Sequence, residues 1–135
     1  MAREVLTDVT IVVVEDNQDF LFLVSEFLFR HGARVAECAT LSVAIDCITR
    51  TLPDLVLTDI TLPDGDGIQL LRTVQSLNLH SGTTTPVLAM SARCDIIMGS
   101  RVANAGFSAW LRKPFTPAQL LEAITTALRL DQGST

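Results

Sequence analysis

Short apolar runs alternate along the chain with longer segments in which apolar residues recur every third or fourth position. Short runs rich in β-branched residues predict β-strands. The predicted strands are residues 9–14 (VTIVVV), 33–38 (ARVAEC), 55–58 (LVLT), 86–90 (PVLAM) and 108–112 (SAWLR). Three of these strands are almost continuously apolar, as in central parallel strands that are covered on both faces, whereas ARVAEC is mixed and is expected at an edge.

The segments between the predicted strands have helical periodicity. The first helix is expected to end at Gly32 and the second before Pro53, because glycine favours helix ends and proline cannot continue a helix. The residues expected to face the core are Phe20, Val24, Phe27 and Leu28 in the first helix, and Leu41, Ala44, Ile45 and Ile48 in the second.

Capping signals locate two further helix starts. Asp66 is the expected N-cap of the third helix, and Gln69 closes a capping box three residues later. Thr116 is the expected N-cap of the last helix, with Pro117 at its first position. A fourth helix is predicted near residues 95–105. The expected core face of the last helix is Leu120, Ile124, Ala127 and Leu128.

Strict alternation of five strands with five helices predicts an α/β fold. Short connections between such units give right-handed crossovers, and therefore a parallel sheet with helices on both faces. We expect a single domain over residues 1–135, with a core at about 8–130 and short flexible ends.

Composition narrows the class of function. The chain has 135 residues, is 48% hydrophobic and carries a formal charge of −5. This acidic balance argues against direct nucleic-acid binding, since phosphate contacts need clustered basic residues. The absence of a long apolar run or a signal-peptide core predicts no membrane association and a cytoplasmic protein.

Cysteine and histidine positions give no sign of a disulfide framework or a zinc site. Cys38, Cys47 and Cys94 form no CxxC pair, which suits a reducing compartment. His31 and His80 have no ligand partner at the spacing that zinc sites need.

Polar side chains follow four of the five predicted strands. Glu15 and Asp16 come after the first, Asp59 after the third, Ser91 after the fourth and Lys113 after the fifth. Ligands of open parallel sheets bind at the edge where these strand ends meet. Converging carboxylates suit Mg²⁺, and with an amine and a hydroxyl they describe a carboxylate nucleophile that accepts a phosphoryl group.

Four motifs carry a resemblance to a known family. VVVEDN, LVLTDITLPDGDG, LAMSA and WLRKPF, in this order and spacing, resemble the receiver domain of two-component response regulators, over about residues 8–130. The resemblance implies a flavodoxin-like sheet with strand order 2-1-3-4-5. It further implies a phosphoacceptor signalling domain rather than an enzyme, capable only of self-catalysed phosphotransfer and slow autodephosphorylation.

The resemblance also implies a role for each strand-end residue. Glu15, Asp16 and Asp59 would hold Mg²⁺, with the backbone carbonyl of Thr61 completing the metal shell. Asp59 would take a phosphoryl group from a histidine of a kinase or phosphotransfer protein. Ser91 would donate a hydrogen bond to that group. Lys113 would pair with the same group, and Pro114 would follow a cis peptide bond.

Switching and phosphoryl lifetime are the further implications. Ser91 and Trp110 would couple phosphorylation to the surface formed by the fourth helix, fifth strand and fifth helix, where an unidentified output partner binds. Trp110 is larger than the tyrosine or phenylalanine commoner at this position. Thr61 and Arg93 would tune the lifetime of the phosphoryl group, which we expect to be moderately long.

The first helix has apolar residues beyond its core stripe. Phe22 and Phe29 fall opposite that stripe, seven residues apart, and we expect them to line an exposed partner or self-association surface. In the stretch TDITLPDGDG, Asp64 is expected to be a solvated turn residue, since neither possible calcium-loop register supplies the required ligands.

Three other classes of protein fit less well. A haloacid-dehalogenase-type phosphatase needs a second acid where Thr61 stands, and a flavodoxin-type FMN module needs a glycine-rich loop where EDNQD stands. A binding-only receiver would have lost part of the acidic cluster. The chain is expected to be a stand-alone receiver, or a piece of a hybrid kinase or larger regulator, and a monomer or weak dimer.

Overall fold

A computed structural model of the chain describes residues 5–92 and 105–132. This part of the chain contains five longer strands, two short strands and four helices. The elements are β1 (Thr10–Val14), α1 (Gln18–Arg30), β2 (Arg34–Cys38), α2 (Leu41–Thr51), β3 (Leu55–Asp59), β4 (Thr61–Leu62), β5 (Gly65–Asp66), α3 (Gly67–Ser81), β6 (Val87–Ser91), β7 (Ala109–Arg112) and α4 (Pro117–Gln132).

The five longer strands form one parallel sheet in the order β2-β1-β3-β6-β7. The predicted α/β class with a parallel sheet is therefore confirmed, and β2 lies at an edge as its mixed sequence indicated. Each of these five strands begins and ends within one residue of its predicted bounds. β4 and β5, which the sequence did not predict, pair as a small antiparallel hairpin directly after β3.

Helices cover both faces of the sheet, because strand side chains alternate between two apolar clusters. Ile11 and Val13 of β1 point to the cluster under α1 and α4. Val12 and Val14 point to the cluster under α2 and α3. The central strand β3 is buried along its whole length, which explains its nearly uninterrupted apolar sequence.

The predicted helix starts are confirmed. The side chain of Asp66 accepts a hydrogen bond from the backbone N–H of Gln69. The side chain of Gln69 accepts one from the backbone N–H of Asp66, which completes the capping box. Thr116 and Gln119 make the same reciprocal pair at the start of α4. Leu120, Ile124 and Ala127 are buried on the predicted core face.

The stripe predicted for α1 was partly wrong. Leu21 is buried with Val24 and Leu28, whereas Phe20 and Phe27 are only partly buried against the same cluster. The fourth predicted helix, together with Arg93 and Cys94, lies outside the described residues, apart from Ala105. Within residues 5–92 and 105–132, no helix combines the length and the apolar character that crossing a bilayer requires.

Candidate functional site

Three carboxylates lie together where β1 and β3 end. Glu15 directly follows β1 and is 1% exposed, while Asp59 is the last residue of β3 and is 9% exposed. Asp16 is exposed beside them. One carboxylate oxygen from each of the three lies within 4.8 Å of the others. The sequence thus predicted correctly that these residues meet at one edge of the sheet.

Lys113 reaches the same place from the loop after β7. Its Nζ lies 2.9 Å from Oδ2 of Asp59 and donates a second hydrogen bond to Oε1 of Glu15. The lysine side chain is 17% exposed, so water screens these contacts little. A single ammonium therefore joins two carboxylates that lie at the ends of two different strands.

Backbone N–H groups hold the other oxygen of each paired carboxylate. The N–H of Asn17 donates to Oε2 of Glu15 at 3.0 Å. The N–H of Thr61 donates to Oδ1 of Asp59 at 3.1 Å. Both side chains are thus oriented from two sides by other groups of the protein, which is how functional carboxylates are usually held.

Burial and charge shift the acid–base properties of the cluster. Burial raises the pKa of Glu15, and the negative charge of Asp59 adds to this, while Lys113 and the Asn17 N–H act in the opposite direction. Burial favours the neutral form of Lys113, but its hydrogen bonds to Glu15 and Asp59 outweigh this effect and raise the pKa of the ammonium.

The donor set fits a hard divalent cation. Glu15, Asp16 and Asp59 supply oxygen ligands only, with one exposed side through Asp16. Mg²⁺ is bound by one or more carboxylates while it keeps several waters, and an open oxygen cluster of this kind suits it. Among the described residues this is the one group of acidic, histidine or cysteine side chains close enough to hold a metal.

Ser91 and Trp110 lie on the neighbouring strands. Ser91 ends β6 and is 2% exposed, and its carbonyl accepts the backbone N–H of Lys113 at 2.8 Å. The Lys113–Pro114 peptide bond is cis, as the resemblance implied. Trp110 pairs in register with Ala89 of β6, and 37% of its surface is exposed.

The start of α3 packs tightly against the end of β3. The N–H of Gly67 donates to the carbonyl of Ile60 at 2.8 Å. A Cβ atom on Gly67 would come within 2.7 Å of the carbonyl oxygen of Asp59. The hydroxyl of Thr58 donates to that same carbonyl at 2.9 Å. The backbone of Asp59 is therefore fixed by direct contact with the next helix.

Asp64 does more than the sequence indicated. It is exposed, as predicted for a turn residue, but its two carboxylate oxygens accept the backbone N–H groups of Leu41 and Ser42 at 2.7 and 3.0 Å. These two hydrogen bonds, with Ser42 the larger cause, lower the pKa of Asp64. Asp64 thus caps the first turn of α2 from the β4–β5 hairpin.

Phe20 is the site residue that the sequence assigned elsewhere. Its ring centroid lies 4.4 Å from Nζ of Lys113, and its edge meets the ring of Phe115 with 5.6 Å between centroids. The helical periodicity of α1 placed Phe20 in a core stripe and carried no sign of a lysine 93 residues later. Phe22 and Phe29 are 63% and 68% exposed, as expected.

Comparison with known proteins decides the family. The family model for the response regulator receiver domain matches residues 11–125. The chain belongs to the response regulator receiver family. Receivers are signalling domains, and the predicted resemblance is confirmed over most of the chain.

Sequence similarity to one full-length relative covers most of this chain. The receiver is 32% identical over 125 residues to the KDP operon transcriptional regulatory protein KdpE of Escherichia coli (strain K12), covering 93% of this chain and 53% of KdpE. The chain therefore spans about half the length of that relative.

Two solved receiver domains have the same fold. One is a CheY-like receiver domain protein from Methanospirillum hungatei JF-1, with 26% identity, a TM-score of 0.84, and coverage of 93% of this chain and 98% of that chain. The other is the BeF3-activated N-terminal receiver domain of Klebsiella pneumoniae RstA, with 30% identity, a TM-score of 0.77, and coverage of 89% and 98%.

Proposed function

We propose that this receiver is a phosphoacceptor and that Asp59 takes the phosphoryl group from a phosphohistidine. The observation that carries the proposal is the position of the Asp59 carboxylate. It ends a fully buried central strand, with Oδ1 on the Thr61 N–H and Oδ2 on the Lys113 ammonium. A carboxylate oriented in this way is preorganised for attack on an incoming phosphorus atom.

Neighbouring groups would stabilise the charge that develops during transfer. Glu15, Asp16 and Asp59, with the backbone carbonyl of Thr61, would hold Mg²⁺, which supplies charge neutralisation when it is bound. The ammonium of Lys113 lies 2.9 Å from Oδ2 of Asp59, and it would pair with the oxygens of the transferred phosphoryl group. The Ser91 hydroxyl, at the end of the adjacent strand β6, would donate a hydrogen bond to the same group.

The expected pathway has a donor, a switch and an output. The donor is a histidine kinase or a histidine phosphotransfer protein in the cytoplasm, and Phe22 and Phe29 are the proposed docking surface on α1. Ser91 and Trp110 would transmit phosphorylation to the surface around β7 and α4, which are the fifth strand and the fifth helix predicted from the sequence. Thr61 and Arg93 would set the phosphoryl lifetime. The chain serves as a stand-alone receiver or as the receiver of a larger regulator or hybrid kinase.

Direct measurement of phosphorylation tests the proposal. With Mg²⁺ and a small phosphodonor such as acetyl phosphate, the intact mass should rise by one phosphoryl group, and the fluorescence of Trp110 should change with the same time course. Asp59→Asn should show neither response. Asp16→Asn alters only an exposed metal ligand, so it should fold normally but need more Mg²⁺ for the same rate. No mass increase with several donors would instead favour a receiver used only for binding.

A further inference from the structure

The Lys113 ammonium has three N–H groups and is surrounded by protein on several sides. Two N–H groups donate to Glu15 and Asp59. The ring of Phe20 lies on a further side, with its centroid 4.4 Å from Nζ. At this distance a cation is attracted by the negative face of an aromatic ring. Phe20 thus takes a place at the ammonium that water would otherwise occupy.

The backbone connects Phe20 to the same carboxylate that Lys113 contacts. The Asn17 N–H donates to Oε2 of Glu15, and the Asn17 side chain accepts the Phe20 N–H at 2.9 Å as the N-cap of α1. Contacts therefore run from Glu15 through Asn17 and Phe20 to Lys113, and back to Glu15. These contacts link the first turn of α1 to the loop that carries Lys113.

A second contact fixes the orientation of the Phe20 ring. Phe115, two residues after Lys113, meets it edge to face at an interplanar angle of 81°. Edge-to-face contact is favourable for aromatic pairs, and here it holds the Phe20 ring in one orientation. Phe27 provides a contrast, since it packs against the same apolar cluster but has its ring contact with His31.

We propose that Phe20 is a positioning residue for Lys113. Its ring confines the ammonium to the side where the two carboxylates lie, so that Lys113 is in place before a phosphoryl group arrives on Asp59. The inference concerns the site of the proposed phosphoryl transfer and rests on that function for its effect on rate. The position of Lys113 beside Phe20 can be measured separately from phosphoryl transfer.

Three substitutions in α1 separate positioning from packing. Phe20→Leu removes the ring but keeps an apolar side chain, while Phe20→Tyr keeps the ring. Phe20 and Phe115 both line a cavity of about 260 Å³. Phe27→Leu is the matched control, because it removes a ring from the same helix and cluster without touching Lys113.

The first measurement is the mobility of the Lys113 ammonium, from NMR relaxation of its nitrogen, without metal or donor. The ammonium should be equally ordered in the wild type, Phe20→Tyr and Phe27→Leu, because the ring that confines it is kept. Phe20→Leu should lower its order parameter, because one side of the ammonium is no longer confined. An unchanged order parameter in Phe20→Leu would overturn the proposal.

The second measurement is the rate of phosphorylation by acetyl phosphate with Mg²⁺. Phe20→Leu should be about two- to tenfold slower than wild type, the range that a cation–π contact supports, while Phe20→Tyr should recover the rate. Equal slowing in Phe20→Leu and Phe27→Leu would overturn the positioning role. If the wild type accepts no phosphoryl group but the order parameter responds as predicted, the phosphoacceptor function fails and the positioning of Lys113 stands.

Discussion

At Gly67, a single added carbon would collide with the backbone of the candidate phosphoacceptor, Asp59. The carbonyl oxygen of Asp59 and the Cα of Ile60 lie 2.7 and 3.2 Å from where a Gly67 Cβ would be. Both are backbone atoms and cannot rotate away. Glycine is therefore required here by close approach of α3 to the end of β3, and this contact fixes the strand end that carries Asp59.

Gly67→Ala should both destabilise the protein and slow phosphorylation. We expect a loss of about 1–3 kcal/mol in the free energy of unfolding, as for other overpacked sites. The rate with acetyl phosphate should fall because the Asp59 backbone is displaced. Urea denaturation and intact mass over time measure the two effects.

Gly82→Ala is the control for this prediction. Gly82 has φ of +74°, and no atom lies within 4 Å of the position that a Cβ would take, so its substitution adds backbone strain without a clash. It should cost about 1–2 kcal/mol and leave the phosphorylation rate unchanged. A normal rate in Gly67→Ala would contradict the proposed link between this contact and Asp59.

At the scale of elements, the N-terminus of α2 is capped from two places. The Thr40 hydroxyl accepts the N–H of Val43 from the N-cap position of the helix itself. Asp64 accepts the N–H groups of Leu41 and Ser42 from the β4–β5 hairpin. A carboxylate at this end also interacts favourably with the helix dipole. The hairpin after Asp59 is thereby attached to α2 as well as to β3.

Asp64→Ala should make the stability of the protein less dependent on acid pH. The pKa of Asp64 in the folded state is below its ordinary value of 3.8, so its stabilising contribution is present above that pH and is lost as the pH falls through the folded value. The difference in unfolding free energy between wild type and Asp64→Ala should therefore be largest near neutral pH and shrink below pH 3.8.

Thr40→Ala removes the cap at the same helix end without removing a charge. It should cost about 0.5–2 kcal/mol by urea denaturation, equally at neutral and acid pH. If the effect of Asp64→Ala is also the same at both pH values, the ionised carboxylate does not provide the stabilisation that its hydrogen bonds indicate.

At the scale of the whole molecule, the carboxyl ends of several strands form one site, while α1 presents a separate apolar surface. Glu15, Asp59 and Lys113 are brought together from positions up to 98 residues apart. Phe22 and Phe29 lie exposed on α1 and line a cavity of about 570 Å³ next to β2. The candidate phosphoryl site and the proposed docking surface thus lie on different parts of the molecule.

Replacing Phe22 and Phe29 together with serine should slow phosphotransfer from the cognate donor about tenfold or more, because aromatic anchors dominate docking energies. Phosphorylation by acetyl phosphate should be unchanged, since neither side chain contributes to the site. The matched control replaces Val43 and Leu79, which are 52% and 86% exposed on other helices, with serine. Equal donor rates for both double variants would contradict a docking role for Phe22 and Phe29.

The five longer strands, two helix starts and most of the candidate site could be predicted from the sequence. Strand bounds followed from apolar runs, and the starts of α3 and α4 followed from capping pairs only three residues apart. The meeting of Glu15, Asp16 and Asp59 followed from one geometric rule, that parallel strands end at a common edge. These features depend on local spacing or on a general property of sheets, which is why they can be predicted without coordinates.

Other contacts depend on how distant elements pack, because no local spacing encodes them. Phe20 fits the periodicity of a core stripe, and only the packing of α1 beside the Lys113 loop places its ring at the ammonium. Asp64 is an ordinary turn residue until the hairpin folds against α2, 22 residues earlier in the chain. Such roles depend on where one element ends relative to another, to within an ångström, and periodicity fixes only the direction in which a side chain points.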